Sequence, residues 1–219
     1  MMRPALIAIA AAAMAAPAAP AVAQDGAHAG HAAHVHHAAA APAGAGAKVM
    51  LSGAPLLDAS GRRVRLASDV IAGKIAVVNF IYTNCTTVCP VTSATFELLQ
   101  RRLGAALGRD VVLVSITVDP LRDTPKRLRE YSSRYEAGAG WTWLTGDKRD
   151  VDQVLEGFGA YTPNFEDHPV MVLVGDAREG TWTRLFGFPG VDQIAARIDG
   201  LREARMGAHH AHHHQQASQ

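Results

Sequence analysis

The sequence predicts an α/β layered domain built on a mixed central β-sheet. Three observations carry that prediction. Two continuous apolar runs, residues 75–82 and 111–118, have the character of strands buried on both faces. Segments with apolar residues at helical spacing alternate with the strands, which is the order of a sheet covered by helices. Near the end, two β-rich runs flank Gly175-Asp176, as in an antiparallel hairpin at a sheet edge. The chain has 219 residues, is 48% hydrophobic and carries a formal net charge of +1. That suits one domain with a real core. Such balanced charge gives no nucleic-acid or membrane-surface footprint.

Taken in order, the chain opens with Arg3, an Ala-rich apolar run to about Ala16, and Ala21-Val22-Ala23 before Gln24. This reads as a secretory signal over residues 1–23, cleaved near Ala23. The apolar run is short and weakly hydrophobic, so a permanent span is disfavoured and the mature form is expected not to cross the membrane. Residues 24–47 are almost all Ala, Gly and His and are expected to be a disordered linker. The folded region is expected at 48–206, followed by a His-rich disordered tail over 207–219. Lys48–Leu51 and Val64–Leu66 are short strand candidates around Ala59-Ser60-Gly61. After the first buried strand, Phe96, Leu99 and Leu103 mark a helix ended by Gly104 or Gly108. Asp119-Pro120 stops the second strand. Asp123-Thr124-Pro125 reads as a helix cap, with the helix running to about Tyr135. Residues 141–144 form a strand candidate and 147–157 a helix. Residues 170–174 and 182–186 form the hairpin. Residues 191–206 close the domain as an amphipathic helix with Ile194, Ile198 and Leu201 on one face. A hairpin edge on an otherwise parallel core is the thioredoxin-like arrangement. In such open sheets, sites lie beyond the carboxyl ends of the strands.

At that edge stands Thr83-Asn84-Cys85-Thr86-Thr87-Val88-Cys89-Pro90, which contains the only two cysteines of the sequence. With Cys89 in the first helical turn and Cys85 just before it, both sulfurs share one face. A helix amino terminus stabilises a thiolate. Pro90 fits the first turn, where its missing N–H costs nothing. A structural disulfide is the plain alternative, but so small a loop stabilises weakly. The pair can hold a soft metal, close a redox disulfide, or do both. Two thiolates favour copper(I) and leave the coordination incomplete. His168, in Glu166-Asp167-His168-Pro169, is the only histidine of the expected folded region and the candidate third ligand. A loop histidine without a task is the competing reading. The topology puts the His168 loop opposite the cysteine helix. Phe80 and Tyr82 read as core packing.

Together the motifs resemble the SCO/SenC family, exported thioredoxin-fold proteins that deliver copper to the CuA centre of cytochrome c oxidase. The resemblance is carried by Val78-Asn79-Phe80-Ile81-Tyr82-Thr83-Asn84-Cys85 with Val88-Cys89-Pro90. It continues in Ser115–Pro120 with Asp123-Thr124-Pro125, in Trp143–Gly146 and in Asp167-His168. It implies copper, as Cu(I) or Cu(II), on Cys85, Cys89 and His168. It also implies a periplasmic location and the CuA-bearing oxidase subunit as partner. Other periplasmic copper chaperones or thiol reductases are possible further partners. The Asp of the family's Val-Asp-Pro motif corresponds to Asp119. Carboxylates behind a ligand orient it, which makes Asp119 and, with less support, Asp167 candidates for that role. The family commonly has Pro-Asp-Val between its cysteines; here Thr86-Thr87-Val88 stands there and removes an acidic group. Pro169 follows the histidine, where the family tends to carry a small hydroxyl residue, and its peptide bond is a candidate for cis.

The rival reading is a thiol-disulfide oxidoreductase that reduces the CuA cysteines with Cys85 and Cys89 as a redox-active pair. It needs no His168. A peroxiredoxin-type peroxidase is disfavoured, because the residue three before Cys85 is Tyr82 and Thr86, three before Cys89, lacks the upstream Pro. A copper sensor stays open. The histidines at 28–37 and 209–214 read as composition drift, a partial tag or loose metal collectors, with accessory metal capture favoured.

Overall fold

The computed structural model describes residues 46–216, with side chains described through Gly207. The expected signal and most of the expected linker, residues 1–45, lie outside the described residues. Seven strands form one sheet: β1 (Pro55–Asp58), β2 (Arg63–Arg65), β3 (Ile75–Ile81), β4 (Val111–Thr117), β5 (Trp141–Thr145), β6 (Met171–Asp176) and β7 (Thr181–Phe186). Their order is β2-β1-β5-β4-β3-β6-β7. The helices are α1 (Val88–Leu103), α2 (Pro125–Ser132), α3 (Lys148–Phe158) and α4 (Val191–Gln216).

The two apolar runs are the centre of the sheet. β3 and β4 pair in parallel from Ile75↔Val111 to Ile81↔Thr117, and every residue of both is buried. Alternate side chains leave on opposite faces, so each strand feeds two cores. Val78, Phe80, Val114 and Ile116 join α3 residues Val151, Leu155 and Phe158. Val77, Ile81 and Leu113 join Phe96 and Leu99 of α1, Leu128 of α2, and Ile194 and Ile198 of α4. Each such side chain contributes roughly 1.5–3 kcal/mol by leaving water.

The expected strand at Lys48–Leu51 is not in the sheet. That segment crosses α3 instead, with Met50 N–H donating to the Gly157 carbonyl (2.9 Å) and Ala47 N–H to that of Trp182 (2.6 Å). A Cβ at 157 would collide with the Met50 carbonyl, so glycine admits the crossing. The strand beside β5 is Pro55–Asp58 instead, antiparallel to both β5 and the short edge strand β2. Val64 is a strand residue, but Leu66 already begins a wide helical turn to Val70, closed by Ile71 N–H donating to the Leu66 carbonyl (3.1 Å). The cap read at Thr124-Pro125 is present: Thr124 Oγ1 accepts from Arg127 N–H (3.3 Å) and Pro125 opens α2. The closing helix passes the expected end at Met206, and its backbone continues to Gln216, through a run without proline. Among the described residues, no helix is long and apolar enough to cross a membrane.

The topology fixes the site. β3 ends at Ile81 and hands the chain to the cysteine loop. β6 runs antiparallel to β3, pairing Val172 with Asn79. The start of β6 therefore lies beside the end of β3, which brings the loop before Met171 to the cysteines.

Candidate metal centre

Cys85 and Cys89 are free and buried. The Cys85 N–H donates to the Tyr82 carbonyl (3.1 Å), closing a tight turn at the strand end. The sulfur then receives the Cys89 N–H (3.3 Å) at the first turn of α1. Thr87, the residue before the helix, supplies no side-chain cap. Cys85 Sγ takes that place and satisfies a helix N–H that would otherwise be orphaned. Burial pushes the Cys85 thiol up, yet donors from the Cys89 thiol, the Cys89 and Thr87 N–H groups and the Tyr82 hydroxyl outweigh it and hold the thiol below its ordinary value. Cys89 goes the other way: burial and the neighbouring Cys85 sulfur push it far up. The start of α1 thus brings together one sulfur whose ionisation is favoured and one whose ionisation is disfavoured.

His168 is buried on the facing loop, after the short turn Phe165–Asp167. Its Nδ1 lies 2.8 Å from the Phe165 carbonyl, and the Phe80 carbonyl lies near the ring. Burial pushes the imidazole down, against the pull of both carbonyls. The ring stands edge-on to Tyr82, with centroids 6.1 Å apart. Among the described residues, no three His, Cys, Asp or Glu side chains are close enough to hold a metal ion together. Two thiols are chemically suited to a soft ion, and Tyr82, whose carbonyl accepts the Cys85 N–H, stands edge-on to His168. The His168-Pro169 bond is trans, against the cis expectation. His168 has extended backbone (φ −60°, ψ 141°), the region a trans proline imposes on the residue before it.

The carboxylates divide differently from the sequence reading. Asp119 is buried beside the site, where it accepts from Arg122 Nη1 (3.0 Å) and lines a polar cavity with Tyr82, Thr86 and Thr87. Asp167 is exposed and accepts from Asn164 Nδ2 (3.0 Å), so it braces its own turn. The carboxylate that anchors the cysteine loop is Asp123, read from the sequence only as part of a helix cap. It accepts from Thr83 N–H (3.0 Å), Thr83 Oγ1 (2.5 Å) and Thr117 Oγ1 (2.6 Å). Burial pushes its carboxyl up despite those donors. Tyr82, read as packing, accepts the Cys85 N–H at its carbonyl and meets His168 edge-on; its position directly after the buried strand was the available signal. Arg122 stacks over Phe165 (5.6 Å) and ties the Asp119 loop to the His168 loop.

A profile of the family described as SCO1/SenC matches residues 54–199. The chain belongs to the SCO1/SenC family. A SCO1 protein homolog of Bacillus subtilis is 38% identical over 115 residues, 50% of this chain and 58% of that protein. The structure of Bradyrhizobium japonicum ScoI with copper bound superposes with a TM-score of 0.57 at 26% identity, covering 68% of this chain and 98% of that one. BsSco, a member of the Sco family of cytochrome c oxidase assembly proteins with a disulfide switch, superposes at 0.60 and 25% identity, covering 71% and 95%. The fold of this SCO1/SenC member is thioredoxin-like. The chain spans about half the length of the curated relatives it matches.

Proposed function

We propose that this SCO1/SenC member is an exported, periplasmic copper metallochaperone. Reduced Cys85 and Cys89, with His168, take up a copper ion as cargo and pass it to the CuA-bearing subunit of cytochrome c oxidase. The observation that carries the reading is the seating of Cys85 Sγ on the first turn of α1, one turn from the free Cys89. Two sulfurs there suit a soft ion, and an imidazole is a suitable third donor. The copper-bound ScoI of Bradyrhizobium japonicum and the oxidase-assembly family of BsSco support copper as the cargo and an oxidase as its destination.

The asymmetry of the pair suits transfer. Cys85 offers a thiolate at the helix end, so an incoming ion meets one ready ligand and displaces a proton from Cys89. A partner thiol can then replace these ligands one at a time. Closing the Cys85–Cys89 disulfide removes both sulfurs as donors, so thiol redox state governs loading.

Anaerobic copper(I) titration of the reduced protein tests the reading. One tightly held copper per chain is expected, abolished by Cys85→Ser with Cys89→Ser. His168→Ala should weaken binding by at least the roughly 10–100-fold that loss of a supporting group costs a metal site. Unchanged binding in His168→Ala, with thiol exchange intact, would instead favour the oxidoreductase.

A further inference from the structure

We propose that the C-terminal end of α4 is a second metal site, where the helix sets His209 one turn from His213 and His210 one turn from His214 as chelating pairs for a divalent ion of the copper(II) class. The site is independent of the Cys85, Cys89 and His168 reading.

The backbone of α4 runs as one helix from Val191 to Gln216. A helix brings residues four apart to one face, with Cβ atoms about 5–6 Å from each other. Ala208-His209-His210-Ala211-His212-His213-His214 therefore yields two such pairs side by side. A spacing of four on a helix is the one at which two histidines serve a single metal ion. In an irregular tail the same histidines would only be a loose collection, whereas the helix presets their spacing. Imidazole nitrogen suits copper and zinc, and copper(II) binds most tightly among the divalent ions of the first transition row. Packing does not account for the extension. Ile194, Ala195 and Ile198 are buried, and among the described residues Leu201 is the last apolar one of α4 packed on the core. Met206 and Gly207 are exposed. Most helical stability in a protein comes from such packing, and histidine is only a moderate helix former. An ion shared between successive turns supplies the constraint that packing no longer gives.

The fold also holds this ladder away from the cysteines. β7 returns to their end of the sheet, where the Gly187 N–H donates to the Val170 carbonyl (2.7 Å), and α4 begins at Val191. By Arg205 the helix has reached the other end, bonded to Asp176, the last residue of β6. A strand of that length spans about 17 Å. His209 follows Arg205 by one turn, so the pairs lie past the far end of the sheet and do not compete for an ion held by Cys85 and Cys89.

The test uses the full chain carrying Cys85→Ser and Cys89→Ser, so that no thiol binds or reduces the probe. Copper(II) is the probe and glycine the competing chelator. The expected result is a tightly held copper(II) with imidazole nitrogen splitting in its electron paramagnetic resonance spectrum and a gain of helix by circular dichroism. Replacing His209, His210, His213 and His214 together by Gln should lower affinity on the order of 100-fold, the loss of an intramolecular second donor, and abolish the gain of helix. Ala211→Pro keeps every histidine but breaks the helix between the paired residues. It should weaken binding about tenfold, the cost of losing a preset geometry. The histidines at 28–37 are common to all variants and set a shared background, and the urea midpoint shows that the domain is intact. Parent-like affinity in the Gln variant places capture elsewhere and overturns the site. Parent-like affinity and helix gain in Ala211→Pro leave a loose collector in place of the ladder and overturn it as well. Either result leaves copper(I) binding at Cys85 and Cys89 untouched.

Discussion

At the residue scale, the site depends on who supplies the hydrogen bonds to each sulfur. Cys85 is favoured as a thiolate by two backbone N–H groups and the Tyr82 hydroxyl, whereas Cys89, in the first turn of α1, is buried in the apolar core. Alkylation mapped by mass spectrometry across a pH series should label Cys85 first. Its inflection is expected below the ordinary thiol value and that of Cys89 well above it, because only the thiolate reacts. Asp123 is the second decisive residue. Asp123→Ala strands the Thr83 and Thr117 hydroxyls and the Thr83 N–H, and should cost about 3 kcal/mol. Urea unfolding would give the magnitude, and amide exchange would show faster opening at 83–87. Neither role was readable from spacing. Asp123 lies 40 positions from Thr83, and a cap-like Asp-Thr-Pro explains its presence equally well.

At the element scale, the alternation of apolar runs and helical spacing was enough to place β3, β4 and the four helices. Burial on both faces gives a strand an unmistakable signal. The edges were harder. Lys48–Leu51 has strand composition, yet its backbone bonds go to Gly157 and Trp182, because α3 offers a glycine at the crossing. Gly157→Ala is accordingly expected to detach residues 46–51, exposing Met50 and Leu51 to proteolysis while β3 and β4 keep their amide protection. The α2 cap makes a milder case. Thr124→Ala removes one acceptor at an exposed helix end and should cost about 1 kcal/mol, readable as a shift in the urea midpoint. The α4 backbone beyond Met206 escaped notice because a His-rich run reads as tail by composition, whereas Ala and the absence of proline permit helix.

At the scale of the whole molecule, one ion pair ties α4 to the sheet. Asp176, buried on β6, accepts from Arg205 Nε (2.5 Å) and Nη2 (2.6 Å), and from the N–H groups of Arg178 and Glu179. Burial works against the Asp176 carboxylate, but these donors prevail and hold its carboxyl below the ordinary 3.8; Glu179 and Asp110 also face Arg205. A depressed carboxyl stabilises the fold above its unfolded value and loses that contribution as pH falls through the folded one. Stability should therefore drop below about pH 4. Arg205→Leu should cost about 3 kcal/mol at pH 7 and flatten that acid limb, measured by urea unfolding from pH 7 to 3. The same global geometry separates what the chain announces from what it conceals. The sequence by itself determined the α/β class, the place of Cys85 and Cys89 at a strand-to-helix junction and the candidacy of His168, because periodicity and residue chemistry are local. Only the tertiary structure decided that β6 returns antiparallel beside β3, that Asp123 anchors the cysteine loop, and that Tyr82 meets His168 edge-on. Those depend on which distant segments meet in space, and a contact across the sheet leaves no periodic trace in either of the segments that make it.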